Sequence, residues 1–489
     1  MSGAEPKTVI QAFFDTAARR GGAPCARFKR DGRWRSLSWE EMSCGVLRLA
    51  EELIDRGVRH GERIALLGST SVEWTMADCA ILAAGAVCVP IYLQLTAEQI
   101  AHILRDSRPK LLFAEEGAMG KLSAAMKISS QEIPVLPLER VLADASGPRV
   151  GPPVGRDVMA VVADLEMRDE ATIVYTSGTT GVQKGVVLTH GNLAAEIRGA
   201  RRAFDFGDDD VGLAFLPLAH VLGRMMQFYS LSQGCETAYA EGIAELPRNY
   251  VEVRPHFLCA VPRMLEKVHE LVEARVRELP APAGALFRWA LSTGKQRSSL
   301  LQKHRRVPAW LFLKAAVADM LVFRRVRKRL GGRMRAYICG GAPLSEDVAR
   351  FFHAAGIMVL EGWGLTETFA AVTVNRSDDF HFGTVGKPLS GAELDIAPDG
   401  EILVRGALVF KEYLNLPGET RAAFDERGFF RTGDLGEISR DGFLRITGRK
   451  KDIIITAGGK NVAPQMIEGM LSRSPYVNHA MVCGDGRKY

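Results

Sequence analysis

Residues 171–175, Ala-Thr-Ile-Val-Tyr, form an apolar run that passes without a break into Thr176-Ser-Gly-Thr-Thr-Gly-Val-Gln-Lys-Gly185. The run reads as a buried strand and the stretch after it as a loop. Gly178, Gly181 and Gly185 let the backbone turn its N–H groups inward, and the hydroxyls of Thr176, Ser177, Thr179 and Thr180 add donors. Lys184 supplies a compact positive charge, so the loop is built to cradle a polyphosphate. Its spacing, G-x-x-G-x-x-K-G, is not that of a Walker A loop. Taken alone it marks a phosphate binder; the competing reading is a flexible Ser/Thr/Gly turn.

The surrounding chain reads as alternating strands and helices. Ser38 with Glu41 makes a capping box, followed by Met42, Val46, Leu49 and Leu53 at helical spacing and Gly57 as a stop. A strand at 63–67, a helix at 74–84, a strand at 87–92, a helix opened by Thr96 with Gln99 and a strand at 110–114 predict a parallel sheet with crossover helices. Prolines 134, 137, 148, 152 and 153 mark a connector, so a first α/β subdomain spans 1–165. Alternation resumes over 166–380. Turn signals at Asp399-Gly400, Arg427-Gly428 and Asp441-Gly442 predict a small antiparallel β-barrel over 381–447. The remaining stretch, 448–489, is too short for a core of its own.

With 489 residues, 47% hydrophobic and 25% charged, the chain is an ordinary globular protein of about three units. The net charge of +6 is concentrated: residues 295–330 hold eleven Lys/Arg against one acid, Asp319. That argues against a general nucleic-acid surface and for a local anionic contact. Eight scattered cysteines, with no C-x-x-C or Cys/His metal spacing, read as buried small hydrophobes in a reducing cytosol. Residues 1–24 lack a signal-peptide core, and the longest apolar stretch, 307–323, is interrupted by Lys314 and Asp319.

Further blocks follow in order: Phe215-Leu-Pro-Leu-Ala-His-Val-Leu-Gly-Arg224, Val261-Pro-Arg-Met-Leu-Glu-Lys267, Cys339-Gly-Gly-Ala-Pro-Leu344 and Glu361-Gly-Trp-Gly-Leu-Thr-Glu-Thr368. Downstream lie Gly383-Thr-Val-Gly-Lys-Pro388, Gly428-Phe-Phe-Arg-Thr-Gly-Asp-Leu435 and Gly448-Arg-Lys-Lys-Asp452. Together with the phosphate loop they make the chain resemble the adenylate-forming superfamily of acyl-CoA synthetases, adenylation domains and luciferases. Within it, the chain looks most like a long-chain fatty-acid CoA ligase.

The resemblance implies an α/β body of two layered subdomains plus the small barrel, followed by the start of an α+β C-terminal lid over 448–489. It implies ATP, Mg²⁺ and coenzyme A, with a carboxylate attacking the α-phosphorus and a thiol attacking the acyl-AMP; catalysis is then positioning and charge neutralisation. Thr176, Lys184, His220, Thr366 and Glu367 take the catalytic positions. Glu367 and Thr176 hold Mg²⁺, for which one protein carboxylate suffices. The nucleotide falls to Thr176, Ser177, Gly178, Thr179, Thr180, Gly181 and Lys184, to Gly341 and Ala342 beside the adenine, and to Glu361, Gly362, Trp363, Gly364 and Thr366. Asp434 binds the ribose and Arg449 the ribose or phosphate. Trp363 would stack on the purine, with a plain core aromatic as the alternative. His220 is expected where acyl tunnel and phosphate site meet, against the alternative of a satisfied core histidine.

Gln183 stands where relatives carry proline, and Gly223 where many carry a bulkier residue. A hinge matches Lys451, and Gly458-Gly459 and Pro464 open the lid. The family's lid lysine has no match, and neither Lys460 nor Lys488 takes its role. The expectation is a fragment of a longer ligase, with a naturally shortened protein as the alternative. The partners expected are a medium- or long-chain fatty acid and CoA, with a carrier protein as alternative acceptor, or no turnover at all in a non-catalytic ATP/acyl-binding protein. No nucleic acid is expected. Basic and apolar residues over 295–335 suit contact with an anionic membrane, against a solvated helix face as the alternative, so the expected location is the cytoplasm or the inner face of a membrane.

Overall fold

The computed structural model describes residues 8–142, 157–176, 183–455, 461–462, 464–471, 477 and 480–484. Ser177, Gly178, Thr179, Thr180 and Gly181, together with Pro148, Pro152, Pro153, Gly458-Gly459, Lys460 and Lys488, lie outside the described residues.

Local signals act as their chemistry dictates. Ser38 Oγ accepts from the Glu41 N–H at 3.1 Å while the Glu41 carboxylate accepts from the Ser38 N–H at 2.7 Å, and this box opens the helix Trp39–Asp55. Thr96 and Gln99 cap Ala97–Ser107 in the same way. Met42, Val46, Leu49 and Leu53 are buried on one face of the first of these helices, as a 3.6-residue period requires.

A seven-stranded sheet runs in the order β18 (Glu412–Tyr413), β8 (Lys184–Thr189), β7 (Glu170–Thr176), β4 (Val87–Ile91), β3 (Arg63–Leu67), β5 (Leu111–Ala114), β6 (Val135–Pro137). Its β4, β3, β5 and β6 are parallel, whereas β8 pairs antiparallel with β7 and with β18. A nine-stranded sheet runs β15 (Lys387–Pro388), β14 (Thr373–Val374), β13 (Met358–Trp363), β12 (Ala336–Cys339), β11 (Phe257–Ala260), β9 (Val211–Ala214), β10 (Glu236–Tyr239), β1 (Pro24–Arg30), β2 (Arg33–Ser38). The two sheets trade strands along the chain: the hairpin β1–β2 joins β10, more than 200 residues away, and β18 joins β8.

The small unit is a four-stranded antiparallel sheet, β16 (Ala392–Ile396), β17 (Glu401–Gly406), β19 (Phe430–Ile438), β20 (Leu444–Arg449). Its two hairpins turn at Asp399-Gly400 and Asp441-Gly442, where both glycines have φ +85°, a conformation that L side chains avoid. One core runs between the two large sheets and their helices, a second lies on the seven-stranded sheet beneath the helices Ala97–Ser107 and Met119–Ser129, and a third fills the gap between Trp363 and the four-stranded sheet.

Residues 281–329 fold as the helices Ala281–Gln302 and Ala309–Ala318, a π-helical turn Asp319–Phe323 and the helix Arg324–Arg329. Among the described residues no helix is long and apolar enough to cross a membrane. All eight cysteines are free and six of them are buried.

Candidate active site

A cavity of about 590 Å³ opens where β7, β12 and β13 end, and the start of β8 and the inner edge of the four-stranded sheet close its other side. Carboxyl ends of parallel strands are where open α/β sheets place ligands. Thr176, Lys184, His220, Gly341, Gly362, Trp363, Gly364, Thr366, Glu367, Asp434 and Arg449 all line this one cavity, drawn from more than 270 residues of chain. Ala342 and Glu361 are not among the lining residues: Ala342 is exposed on the turn after β12, and Glu361 is buried on β13, accepting from the Leu344 N–H at 3.3 Å. Burial raises the Glu361 pKa to about 8.

Two polar groups of the cavity are held by partners that the sequence does not announce. The Tyr413 hydroxyl donates to Glu367 Oε1 at 2.8 Å, and the Lys184 ammonium lies 5.1 Å from the centre of the Tyr413 ring. Lys184 also bonds the Glu419 carboxylate at 2.7 Å, and this contact holds Glu419 below its usual carboxylate range. Tyr413 is on β18, so the antiparallel pairing Tyr413↔Val186 carries it to within two residues of Lys184. Sequence reasoning passed over Tyr413 and Glu419 because nothing in Glu412-Tyr413-Leu-Asn-Leu-Pro-Gly-Glu419 signals a site; only the strand pairing does.

The opposite wall is tied together by Asp434, whose side chain is 6% exposed. Its Oδ2 accepts from the Trp363 indole N–H and its Oδ1 from the Arg449 guanidinium, both at 2.8 Å, and Asp434 and Arg449 are register partners on β19 and β20. Next to them Lys450 bonds Asp399 at 2.6 Å and the buried Glu401 at 3.0 Å, while Glu401 also accepts from the Gly433 N–H. Lys450 and Lys451 line the cavity as well.

His220 caps the helix Val221–Gln233, its Nδ1 accepting from the Leu222 N–H at 3.2 Å. Its ring is reached by solvent inside a concavity, and the protein around it lowers its pKa, which keeps the imidazole neutral at neutral pH. Three residues on, Gly223 has a structural reason: a Cβ there would come 2.8 Å from the Pro217 carbonyl oxygen. The same helix and β9, β10 and β11 enclose a narrow second cavity of about 30 Å³, lined mainly by apolar side chains such as Leu213, Leu218, Met226 and Phe257.

For a divalent cation the donor set is hard oxygen: the Glu367 carboxylate and the hydroxyls of Thr366 and Thr176, all lining one cavity. Among the described residues no group of three or more His, Cys, Asp or Glu is placed to hold a metal ion. A single carboxylate with hydroxyls, completed by water and substrate phosphate, is the way Mg²⁺ is usually held, so these residues fit it.

Comparison with known proteins agrees with this geometry. The family model described as AMP-binding enzyme matches residues 13–414, and that described as AMP-binding enzyme C-terminal domain matches residues 451–489. Long-chain-fatty-acid–CoA ligase FadD15 of Mycobacterium bovis is 40% identical over 470 residues, 94% of this chain and 77% of that protein. Long chain acyl-CoA synthetase 7, peroxisomal, of Arabidopsis thaliana is 30% identical over 493 residues, 94% and 68%. Among solved structures, a Mycobacterium tuberculosis fatty acyl CoA synthetase superposes with a TM-score of 0.69 at 26% identity, covering 97% of this chain and 85% of that one. ATP-bound MatB from Rhodopseudomonas palustris gives 0.73 at 26%, covering 96% and 84%. With the cavity at the strand ends and the family model spanning both large sheets, the chain belongs to the AMP-binding enzyme family.

Proposed function

We propose that this protein is an AMP-forming ligase that activates a medium- or long-chain fatty acid with ATP and passes the acyl group to coenzyme A. The observation that carries this reading is the convergence of Lys184, Glu367 and Asp434 on one cavity, in a chain 40% identical to a long-chain-fatty-acid–CoA ligase. Asp434 takes the ribose hydroxyls with its remaining lone pairs, and Trp363, fixed by its indole hydrogen bond, offers a flat face to the purine. Lys184 and the loop 177–182 receive the phosphates. Glu367, Thr366 and Thr176 would hold Mg²⁺, which supplies charge neutralisation at the phosphate oxygens.

The substrate carboxylate oxygen attacks the α-phosphorus, the bond to the bridging oxygen breaks, and pyrophosphate leaves. The CoA sulfur, having lost its proton to solvent, then attacks the acyl carbon and AMP departs. His220 stands where the large cavity meets the helix that walls the small one, and its neutral ring can meet an incoming carboxylate without adding a buried charge. The narrow apolar cavity is the entry for the acyl chain, and Lys451 is the hinge of the C-terminal lid.

Incubation with hexadecanoate, MgATP and CoA tests the reading: mass spectrometry is expected to find the acyl-CoA. An acyl group transferred only to the phosphopantetheine of a carrier protein would move the acceptor. ATP bound in calorimetry but no acyl transfer to either acceptor would leave a non-catalytic binding protein.

A second reading rests on the helical face 309–320. Trp310, Phe312, Leu313 and Met320 are 57%, 64%, 67% and 57% exposed. Exposed Lys303, Arg305, Arg306, Lys314, Arg324 and Arg325 flank them. Aromatic and aliphatic side chains ringed by cations suit the interface of an anionic bilayer, where a long-chain acid resides. Flotation with phosphatidylglycerol vesicles is expected to carry the protein, and Phe312→Ser with Leu313→Ser to release it. Flotation unchanged by both substitutions would contradict this surface.

A further inference from the structure

The loop that carries Thr366 and Glu367 leaves β13 at Trp363 and returns to β14 at Thr373. It is tightly folded. The Leu365 N–H bonds Thr368 Oγ1 at 3.0 Å, the Phe369 N–H bonds the Thr366 carbonyl at 3.0 Å, and the Val372 N–H closes the loop on the Trp363 carbonyl at 2.7 Å. A Cβ on Gly364 would sit 1.5 Å from the Ala370 carbonyl oxygen, so no other residue fits that turn. Phe369, fully buried, takes φ +57°, a left-handed conformation that costs a non-glycine residue on the order of 1–3 kcal/mol and persists only where surrounding contacts enforce it.

The Phe369 ring packs 6.3 Å from Phe228 on the helix Val221–Gln233, and the end of the loop is held by the helix His190–Ala203. Glu196, in the middle of His190–Ala203, is 0% exposed, and its Oε1 accepts from the Ala371 N–H at 3.0 Å. Its Oε2 is buried with no hydrogen-bond partner among the described residues. One turn earlier, Asn192 donates through Nδ2 to the carbonyls of Ala407 and Val409, both at 2.8 Å. The next residue, Phe410, donates its N–H to the Glu367 carbonyl at 2.7 Å. Residues i and i+4 share a helix face, so Glu196 holds the loop directly at Ala371 while Asn192 holds the segment 407–409, whose next residue bonds the Glu367 carbonyl. The helix is capped by Thr189, the last residue of β8, whose first residue is Lys184.

We propose that Asn192 and Glu196 form a clamp that positions Glu367 relative to Lys184, making Glu196 a positioning residue for the polyphosphate end of the nucleotide. The clamp lies outside the cavity and touches no ligand. It ties the loop that carries Glu367 to the strand–helix unit that carries Lys184, so that the distance between them does not depend on the loop's own flexibility. Burial supports an uncharged role for Glu196: with only the Ala371 N–H opposing it, desolvation raises the carboxyl pKa to about 8. A neutral carboxyl can still accept from Ala371, and glutamine reproduces both its shape and its acceptor.

This inference rests on the nucleotide-binding reading above, and binding rather than turnover separates the two. Titration calorimetry is run on the full chain with AMP and with MgATP. Glu196→Met keeps the volume and removes the acceptor; its dissociation constant for MgATP is expected to rise about tenfold, while that for AMP, held by Asp434 and Trp363, stays within threefold. Glu196→Gln is expected to match the wild type for both ligands. Wild-type MgATP affinity in Glu196→Met, equal losses for AMP and MgATP, or a tenfold loss in Glu196→Gln would each overturn the clamp. A wild-type chain that binds neither ligand would overturn the nucleotide reading itself, and the clamp with it. Hydrogen exchange of the wild type gives an answer independent of any variant: the Ala371 amide is expected to be as protected as that of Val372, and exchange at the rate of an open loop would contradict the clamp.

Discussion

Two ion pairs in the body are built from the same chemistry and do opposite things. Arg224 and Asp78 meet in two hydrogen bonds of 2.8 and 2.5 Å, with side chains 1% and 4% exposed, and the guanidinium also donates to Thr172 at 2.6 Å. Lys184 and Glu419 meet in one contact of 2.7 Å, with side chains 21% and 55% exposed. The first pair ties the helix Val72–Ala83 to the helix Val221–Gln233 and to β7, and both of its side chains are buried in the core. The second stands at the cavity, where Lys184 is open to another anion, and the proposed function makes that anion a phosphate. Burial, rather than the identity of the charges, separates a structural pair from an exchangeable one.

The largest effect that would break this comparison is on stability. Arg224→Met leaves Asp78 buried without its cation, a loss of about 3–5 kcal/mol in pairs of this kind, read as a lower urea midpoint. Arg224→Met with Asp78→Leu is expected to recover much of it. A single variant as stable as the wild type would show that the pair does not hold the two helices.

A smaller effect separates buried acids that have a cation from those that have only a backbone N–H. Glu196 and Glu361 have folded pKa values near 8 against 4.5 for the ordinary side chain. Between those values the folded protein keeps protons that the unfolded chain has released. Their stabilising contribution is therefore complete below pH 4.5 and is lost as the pH rises through about 8. The melting temperature is expected to fall between about pH 5 and about pH 8 and to level off above that, with a shallower fall in Glu196→Gln with Glu361→Gln. An identical pH profile in that variant would contradict the assignment.

The smallest effects belong to the open pair. Lys184→Ala and Glu419→Gln are both expected to leave stability within about 0.5 kcal/mol. In calorimetry, however, they move MgATP affinity in opposite directions: tenfold or more weaker without the cation, and two- to threefold tighter without its competitor. Shifts of the same sign would mean that Glu419 does not compete with phosphate for Lys184.

Much of this was legible from the chain because the signals are local. Hydrophobic runs marked β3, β4, β5 and β7, and hydroxyl-to-acid or hydroxyl-to-amide spacing marked the caps at Ser38 and Thr96. The blocks around Glu367 and Asp434 carried their chemistry in the residue types themselves. What the chain concealed is set by pairing at a distance. Nothing near Pro24 says that β1 joins β10, and nothing near Tyr413 says that β18 delivers its hydroxyl to Glu367. The indole of Trp363 reaches Asp434 across 71 residues of sequence, so the tie between these two cavity residues appears only in three dimensions. Gly223 reads as an odd substitution until the Pro217 carbonyl is seen against it.

The most direct test of the central claim is ATP–pyrophosphate exchange by the wild-type chain with carboxylic acids from acetate to hexadecanoate, because it reports acyl-adenylate formation without assuming an acceptor. The account predicts exchange that depends on MgATP and rises with chain length into the medium and long acids. No exchange with any acid, from a folded protein that binds MgATP, would contradict activation by this chain.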